Sequence, residues 1–172
     1  MYKILTVILL YSALMSQIKV GDDAPTFYVK TLDNKSFFLS DSLERNQHPI
    51  VLSFFATWCI PCRKEIPMLD TVRTKFLDID FYLVNVSGLA QGKKVLKEDP
   101  KVVKEMIESL GTTMPVLMDK YGNAAQKYDA LILPRLVVID SKGKIAYAHT
   151  GYDVGDDKKL IEILNGLGSE NK

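Results

Sequence analysis

Apolar and polar residues follow three rhythms along this chain, and each rhythm marks a different kind of element. Three short runs are apolar almost throughout: Ile50–Ala56, with Ser53 as its one polar interruption, Phe81–Val86, and Leu136–Ile139. Runs of this length and composition predict strands buried on both faces, as in the centre of a sheet covered by helices. A second rhythm returns every three or four residues. It places Ile66, Leu69, Val72 and Phe76 on one face, then Val102, Val103, Met106, Ile107 and Leu110, then Leu160, Ile163, Leu164 and Leu167. These are amphipathic helices. The third rhythm is a loose alternation at Phe27, Val29 and Leu32, turned by Asp33-Asn34 into Ser36–Leu39, which predicts an N-terminal hairpin.

Boundary residues refine this outline. The first long helix is expected to open at Cys59 or Ile60, to run to about Phe76 and to kink at Pro67. Asp99 as cap and Pro100 at the first position start the second, which Gly111 ends. Ser40 or Asp41 is expected to cap a short helical turn through Leu43, and Tyr121–Tyr128 is a further short helix. Ser87 to Lys97 reads as a polar loop, Val116–Met118 follows the second helix, and Ser141-Lys142-Gly143 turns the chain into an antiparallel strand at Lys144–Ala148. The last helix starts near Asp156 and frays at Gly166 and Gly168. Strands alternating with helices in this order predict an α/β fold, with a mixed sheet flanked by helices on both faces.

At the N-terminus, Lys3 precedes the apolar segment Ile4–Met15, and polarity returns at Ser16-Gln17. That layout predicts a signal peptide over residues 1–16, or a short N-terminal anchor, because the apolar part falls short of the roughly 20 residues of a spanning helix. No cysteine follows it, so a lipidated N-terminal Cys is excluded. The expected location is extracytoplasmic, periplasmic or exported, and the expected domain covers residues 21–168. A total of 22 basic against 21 acidic side chains leaves a formal charge of +1, which offers no footprint for nucleic acid or for a polybasic membrane contact.

The candidate chemistry lies in Trp58-Cys59-Ile60-Pro61-Cys62, which holds both cysteines of the chain between a buried strand and a helix. A dithiol exchanger needs a nucleophilic thiolate and a second thiol close enough to resolve a mixed disulfide, and a spacing of three at a helix start supplies both. Unpaired N–H groups and the helix dipole should depress the Cys59 thiol from its free value of about 8.5. Cys62, one turn further in, should be less exposed and act second. Glu65 follows on the same face, where it could exchange protons with the inner thiol or sit as a solvated glutamate beside a lysine. Ser53 lies beneath the motif and is no general base. Zinc would need four ligands, and only His48 and His149 could join the cysteines, so no metal site is expected. The segment Gly88 to Lys94 resembles a phosphate loop but has the wrong glycine spacing and no Ser or Thr after Lys93.

The string Ser53-Phe54-Phe55-Ala56-Thr57-Trp58-Cys59-Ile60-Pro61-Cys62-Arg63-Lys64-Glu65-Ile66-Pro67 resembles the TlpA/ResA group of the redoxin (AhpC/TSA-like) family. So do Gly21-x-x-Ala24-Pro25-x-Phe27, Met114–Asp119 and Pro134 before an apolar strand. The likeness covers about residues 21 to 167. It implies a thioredoxin-like fold with an N-terminal β-hairpin and a helical insertion. It further implies that Cys59 attacks, Cys62 resolves, the two form the redox disulfide Cys59–Cys62, Glu65 tunes them, and Pro134 is a cis-proline facing them. The substrate-facing residues it implies are Trp58, Ile60, Pro61, Leu133, Pro134 and Arg135. Members of the group act without a cofactor on protein disulfides or dithiols, commonly as reductants fed by a membrane electron-donor protein and including the haem-binding cysteines of apocytochrome c. A monomer is expected.

Two positions depart from the group's pattern. Ile132 stands where a glycine is usual two residues before the cis-proline, and Arg135 where a small residue is usual after it. The loop Leu131–Arg135 is therefore bulkier and more apolar, with a cation beside it. The same motif could serve an oxidant or isomerase, since potential varies by more than about 100 mV across this fold. A metal chaperone or a redox-inert interaction module is the alternative from another class; a peroxidase is disfavoured because Thr57 precedes a tryptophan and a paired motif.

Overall fold

A computed structural model of the chain describes residues 17–91 and 94–169. The expected leader, residues 1–16, lies outside the described residues. Among the described residues, seven strands form one mixed sheet in the order β2-β1-β7-β4-β3-β8-β9, and a separate antiparallel pair, β5 (Leu89–Gln91) and β6 (Lys94–Leu96), stands apart from it. The strands of the large sheet are β1 (Tyr28–Thr31), β2 (Ser36–Phe38), β3 (Ile50–Phe55), β4 (Asp80–Val86), β7 (Val116–Asp119), β8 (Arg135–Ile139) and β9 (Ile145–Thr150). Helices α1 (Leu39–Asn46), α2 (Cys62–Arg73), α3 (Pro100–Ser109), α4 (Asn123–Lys127) and α5 (Asp156–Ser169) connect or follow them. Among the described residues, no helix is long and apolar enough to cross a membrane.

The central strand explains the layering. β3 runs parallel to β4 and antiparallel to β8, and all six of its residues are buried. Side chains alternate across a strand, so Ile50, Leu52 and Phe54 enter one core while Val51 and Phe55 enter the other. The first core packs α1, α4 and the N-terminal hairpin around Leu39, Phe54 and Tyr128. The second packs α2, α3 and α5 around Ile66, Leu69, Leu160 and Leu164, and it includes both cysteines. Ser53 shares the face of Val51 and Phe55. Its hydroxyl therefore points under α2.

Several boundaries differ from the sequence expectation, each for a local reason. Helix α2 begins at Cys62, not at Cys59 or Ile60, because Cys59 N–H closes a turn on Ala56 O at 3.1 Å before helical bonding starts at Pro61 O. It runs through Pro67 and ends at Arg73, short of Phe76. Helix α1 has Phe38 at its cap position with no side-chain bond, so neither Ser40 nor Asp41 caps it, and it extends to Asn46, past the expected end at Leu43. The expected loop Ser87–Lys97 contains the hairpin β5 (Leu89–Gln91) and β6 (Lys94–Leu96). Its register pairs Leu89 with Leu96 and Ala90 with Val95. Helix α5 continues past Gly166 and Gly168 to Ser169. The Asp99 cap was as expected: its side chain accepts from Lys101 N at 2.8 Å, with Pro100 opening α3. Gly88 carries the chain out of β4 at φ +81°, and a Cβ there would lie 3.2 Å from the Lys120 carbonyl oxygen, so a side chain would be strained and crowded.

Candidate active site

The site is built where the carboxyl end of β3 meets the start of α2. Residues 56–61 leave the strand as a turn, and α2 then carries Cys62, Glu65, Ile66 and Leu69 inward on one face. Cys59 and Cys62 are joined as a disulfide. Cys62 N–H points at Cys59 Sγ at 3.3 Å, so the outer sulfur sits on the first N–H of the helix, at the positive end of its dipole. Cys62 is fully buried and Cys59 is 3% exposed, while Trp58, Ile60 and Pro61 around them are exposed.

Beneath the disulfide lies Glu65, 1% exposed and not on a solvated helix face. Ser53 Oγ donates to its Oε2 at 2.6 Å. Burial pushes the Glu65 carboxyl up to about 7; the Ser53 hydrogen bond opposes that and the charge of Asp156 adds to it. Asp156 opens α5 on the same side of the sheet. The register places Ser53 opposite Leu136 and Leu136 opposite His149, so these three share a face across three strands. His149 Nε2 lies 3.5 Å from Asp156 Oδ2. His149 is thus a half-buried edge-strand histidine, and His48 is exposed in the loop before β3. Among the described residues, no three His, Cys, Asp or Glu side chains gather as a metal site.

The Leu133–Pro134 peptide bond is cis. The antiparallel register pairs Phe54 with Arg135, and one further step brings Pro134 beside Phe55, at the sheet end where the cysteine turn begins. Pro134 is buried, its carbonyl accepting from Gly151 N at 2.8 Å. Leu133 is half-buried and packs against both cores. Arg135 is half-buried too: its guanidinium donates to the Tyr128 carbonyl at 3.2 Å and to Thr150 Oγ1 at 2.9 Å. The outward-facing apolar side chains of this loop are instead Leu131 and Ile132, at 60% and 69% exposure. Strand pairing at Arg135 explains the difference, because it draws Leu133 to Arg135 against the sheet and leaves the two residues before them outside.

Sequence reasoning missed one member of the site. Glu98, just before the Asp99 cap, accepts from Thr57 N at 2.8 Å, from Thr57 Oγ1 at 3.1 Å and from Asn85 Nδ2 at 3.1 Å. No periodicity links position 98 to position 57; the contact follows a hairpin whose strands are too short to show an alternation.

The arrangement supports two-electron chemistry between sulfur atoms, with a nearby carboxyl that titrates near neutrality. The chain is similar to known proteins over the same region. The thioredoxin-like protein YneN of Bacillus subtilis is 30% identical over 141 residues, covering 82% of this chain and 77% of the relative. The thiol-disulfide oxidoreductase ResA of Bacillus subtilis is 29% identical over 136 residues, covering 78% and 69%. A crystal structure from Chlorobium tepidum, assigned as a thiol:disulfide interchange protein DsbE, superposes with a TM-score of 0.75 at 22% identity, covering 88% of this chain and 99% of that one, which bears on the fold. The model of the AhpC/TSA family matches residues 20–148, a span that runs from before β1 into β9. The chain belongs to the AhpC/TSA family, and within it to the thioredoxin-fold thiol:disulfide oxidoreductases of the TlpA/ResA type.

Proposed function

We propose that this oxidoreductase works outside the cytoplasm as a reductant of disulfides in exported proteins, among them the haem-binding cysteine pairs of apocytochromes c. The observation that carries the reading is the Cys59–Cys62 bond at the start of α2, directly before a buried Glu65. In the reduced protein, the Cys59 thiolate attacks one sulfur of a substrate disulfide, forming a mixed disulfide and releasing the other substrate sulfur as thiolate. Cys62 then loses its proton to Glu65, and its thiolate attacks Cys59 Sγ. This closes Cys59–Cys62 and expels the second substrate thiolate. Two electrons have passed to the substrate, and a membrane dithiol donor resets the pair by the reverse exchange.

The remaining roles follow from position. Trp58, Ile60 and Pro61 receive the substrate around the cysteines, and Leu133, Pro134 and Arg135 support it from the facing loop, with Arg135 acting through its ties to Tyr128 and Thr150. Residues 1–16 act as a signal peptide or short anchor ahead of one working domain, residues 21–168, which functions as a monomer without cofactor or metal.

A trapping experiment tests the assignment of the cysteines. Cys62→Ser, incubated with a disulfide-bonded substrate protein, is expected to accumulate a mixed disulfide through Cys59, while Cys59→Ser accumulates none. Trapping through Cys62 in the Cys59→Ser variant at the same yield would reverse the roles.

A further inference from the structure

The segment between β4 and α3 reaches back to the redox turn through one side chain. Glu98 Oε2 accepts from the Thr57 backbone N–H and from Asn85 Nδ2, and its Oε1 accepts from the Thr57 hydroxyl. Its own backbone N–H is anchored to Ser87 Oγ at 2.9 Å. On the other side of Thr57, the Arg63 guanidinium donates to the Thr57 carbonyl at 2.9 Å. The residue two before Cys59 is therefore held at its N–H, its hydroxyl and its carbonyl.

Residues 56–61 need such anchoring, because the strand ladder ends at Phe55 and helical bonding starts only at Pro61 O. Asn85 supports the clamp from below. It is fully buried, its Nδ2 is committed to Glu98, and its Oδ1 has no partner among the described residues.

We propose that Glu98 is a positioning residue for thiol–disulfide exchange, fixing Thr57 so that Cys59 Sγ stays on the Cys62 N–H and Trp58 stays at the surface beside it. The inference rests on reading Cys59 as the attacking thiol. Release of Thr57 lets the turn drift. Cys59 Sγ then leaves the N–H that stabilises its thiolate, and the line of attack on a substrate disulfide is lost. Displacements of about 1 Å at a reacting atom cost up to about a hundredfold in rate, and a turn still tied by Arg63 should lose less.

The test compares reduced wild-type protein with Glu98→Ala and Glu98→Gln. It measures the rate of exchange with a small disulfide, the pH midpoint of Cys59 alkylation, and far-ultraviolet circular dichroism as a check on folding. Glu98→Ala is expected to slow exchange about tenfold and to raise the alkylation midpoint. Glu98→Gln keeps an acceptor for the Thr57 N–H, so it should recover the rate to within about threefold of wild type. Thr57→Val, which loses only the hydroxyl contact, should stay within about twofold. A wild-type rate and midpoint in Glu98→Ala would overturn the proposal, as would equal losses in Glu98→Ala and Glu98→Gln. Should Glu98→Ala not fold, Glu98→Asp carries the test: it keeps the charge but shortens the reach, and wild-type kinetics there overturn the proposal. Wild-type protein that exchanges no faster than Cys59→Ser would refute the reading of the cysteines themselves, and that control tells the two failures apart.

Discussion

Ser53 Oγ and Glu65 Oε2 stand 2.6 Å apart, the strand hydroxyl donating to the helix carboxyl, with both residues buried under the Cys59–Cys62 bond. The contact joins the central strand to the redox helix at a group that titrates near pH 7. The Ser53 hydrogen bond holds the Glu65 value down against burial. Ser53→Ala should therefore move the midpoint of the pH–rate profile upward and cost about 1–3 kcal/mol of stability, the range for stripping a buried polar group of its partner. A downward shift in stopped-flow exchange kinetics would contradict this account of the carboxyl.

Glu65→Gln should flatten two pH dependences at once. The carboxyl is raised from 4.5 to about 7 in the folded protein, so between those values the native state holds a proton that the unfolded chain has released. Its contribution to stability is thus full below about pH 4.5 and is lost as pH rises through about 7, a change on the order of 3 kcal/mol. Urea unfolding across pH 4 to 8 should show that decline in wild type and a smaller one in Glu65→Gln. The exchange profile of the variant should also lose its limb near neutrality. An unchanged slope in both measurements would return Glu65 to a bystander.

The fold was legible because the strand and helix rhythms are strong: Ile50–Ala56, Phe81–Val86 and Leu136–Ile139 mark β3, β4 and β8 within a residue or two. The nearness of Cys59 and Cys62 was legible from their spacing, whereas spacing left open whether Glu65 was buried or solvated. Two things were hidden. The burial of Glu65 depends on which helix covers the Ser53 face of β3, and a run that is apolar on both sides of a single serine does not disclose that. The clamp of Glu98 on Thr57 follows a hairpin whose strands are three residues each, too short to show an alternation within a glycine- and lysine-containing segment. At Leu131–Arg135 the composition signalled an unusual loop, but strand pairing decided that Leu131 and Ile132 face outward and Arg135 does not.

Ile60, next to Cys59 in the chain, and Ile132, two residues before the cis-proline, are 73% and 69% exposed. Their apolar surface is expected to bind protein substrates and to be indifferent to small ones. Ile60→Ser and Ile132→Ser together should lower kcat/KM for a protein disulfide about tenfold, while the rate with glutathione disulfide changes less than about twofold. Equal losses on both substrates would place these residues in the chemistry instead.

Tyr128 tests the separation of the two cores. It is fully buried, stacks edge-on against Phe27 at 5.8 Å between ring centres, and donates from its hydroxyl to the Pro25 carbonyl at 2.8 Å. Tyr128→Phe should cost about 1 kcal/mol and Tyr128→Ala about 3–5 kcal/mol in denaturant unfolding. Because this core lies across the sheet from the cysteines, the exchange rate of the Tyr128→Phe variant should stay at the wild-type value. A slower rate would mean that the two faces of β3 are coupled.

The reduction potential of the Cys59/Cys62 couple tests the central claim most directly. Equilibration of the purified domain with glutathione or dithiothreitol buffers, read by thiol alkylation, should place it below about −220 mV, in the range of thioredoxin-like reductants. A value near about −120 mV, that of a strong dithiol oxidant, would contradict the reductant reading.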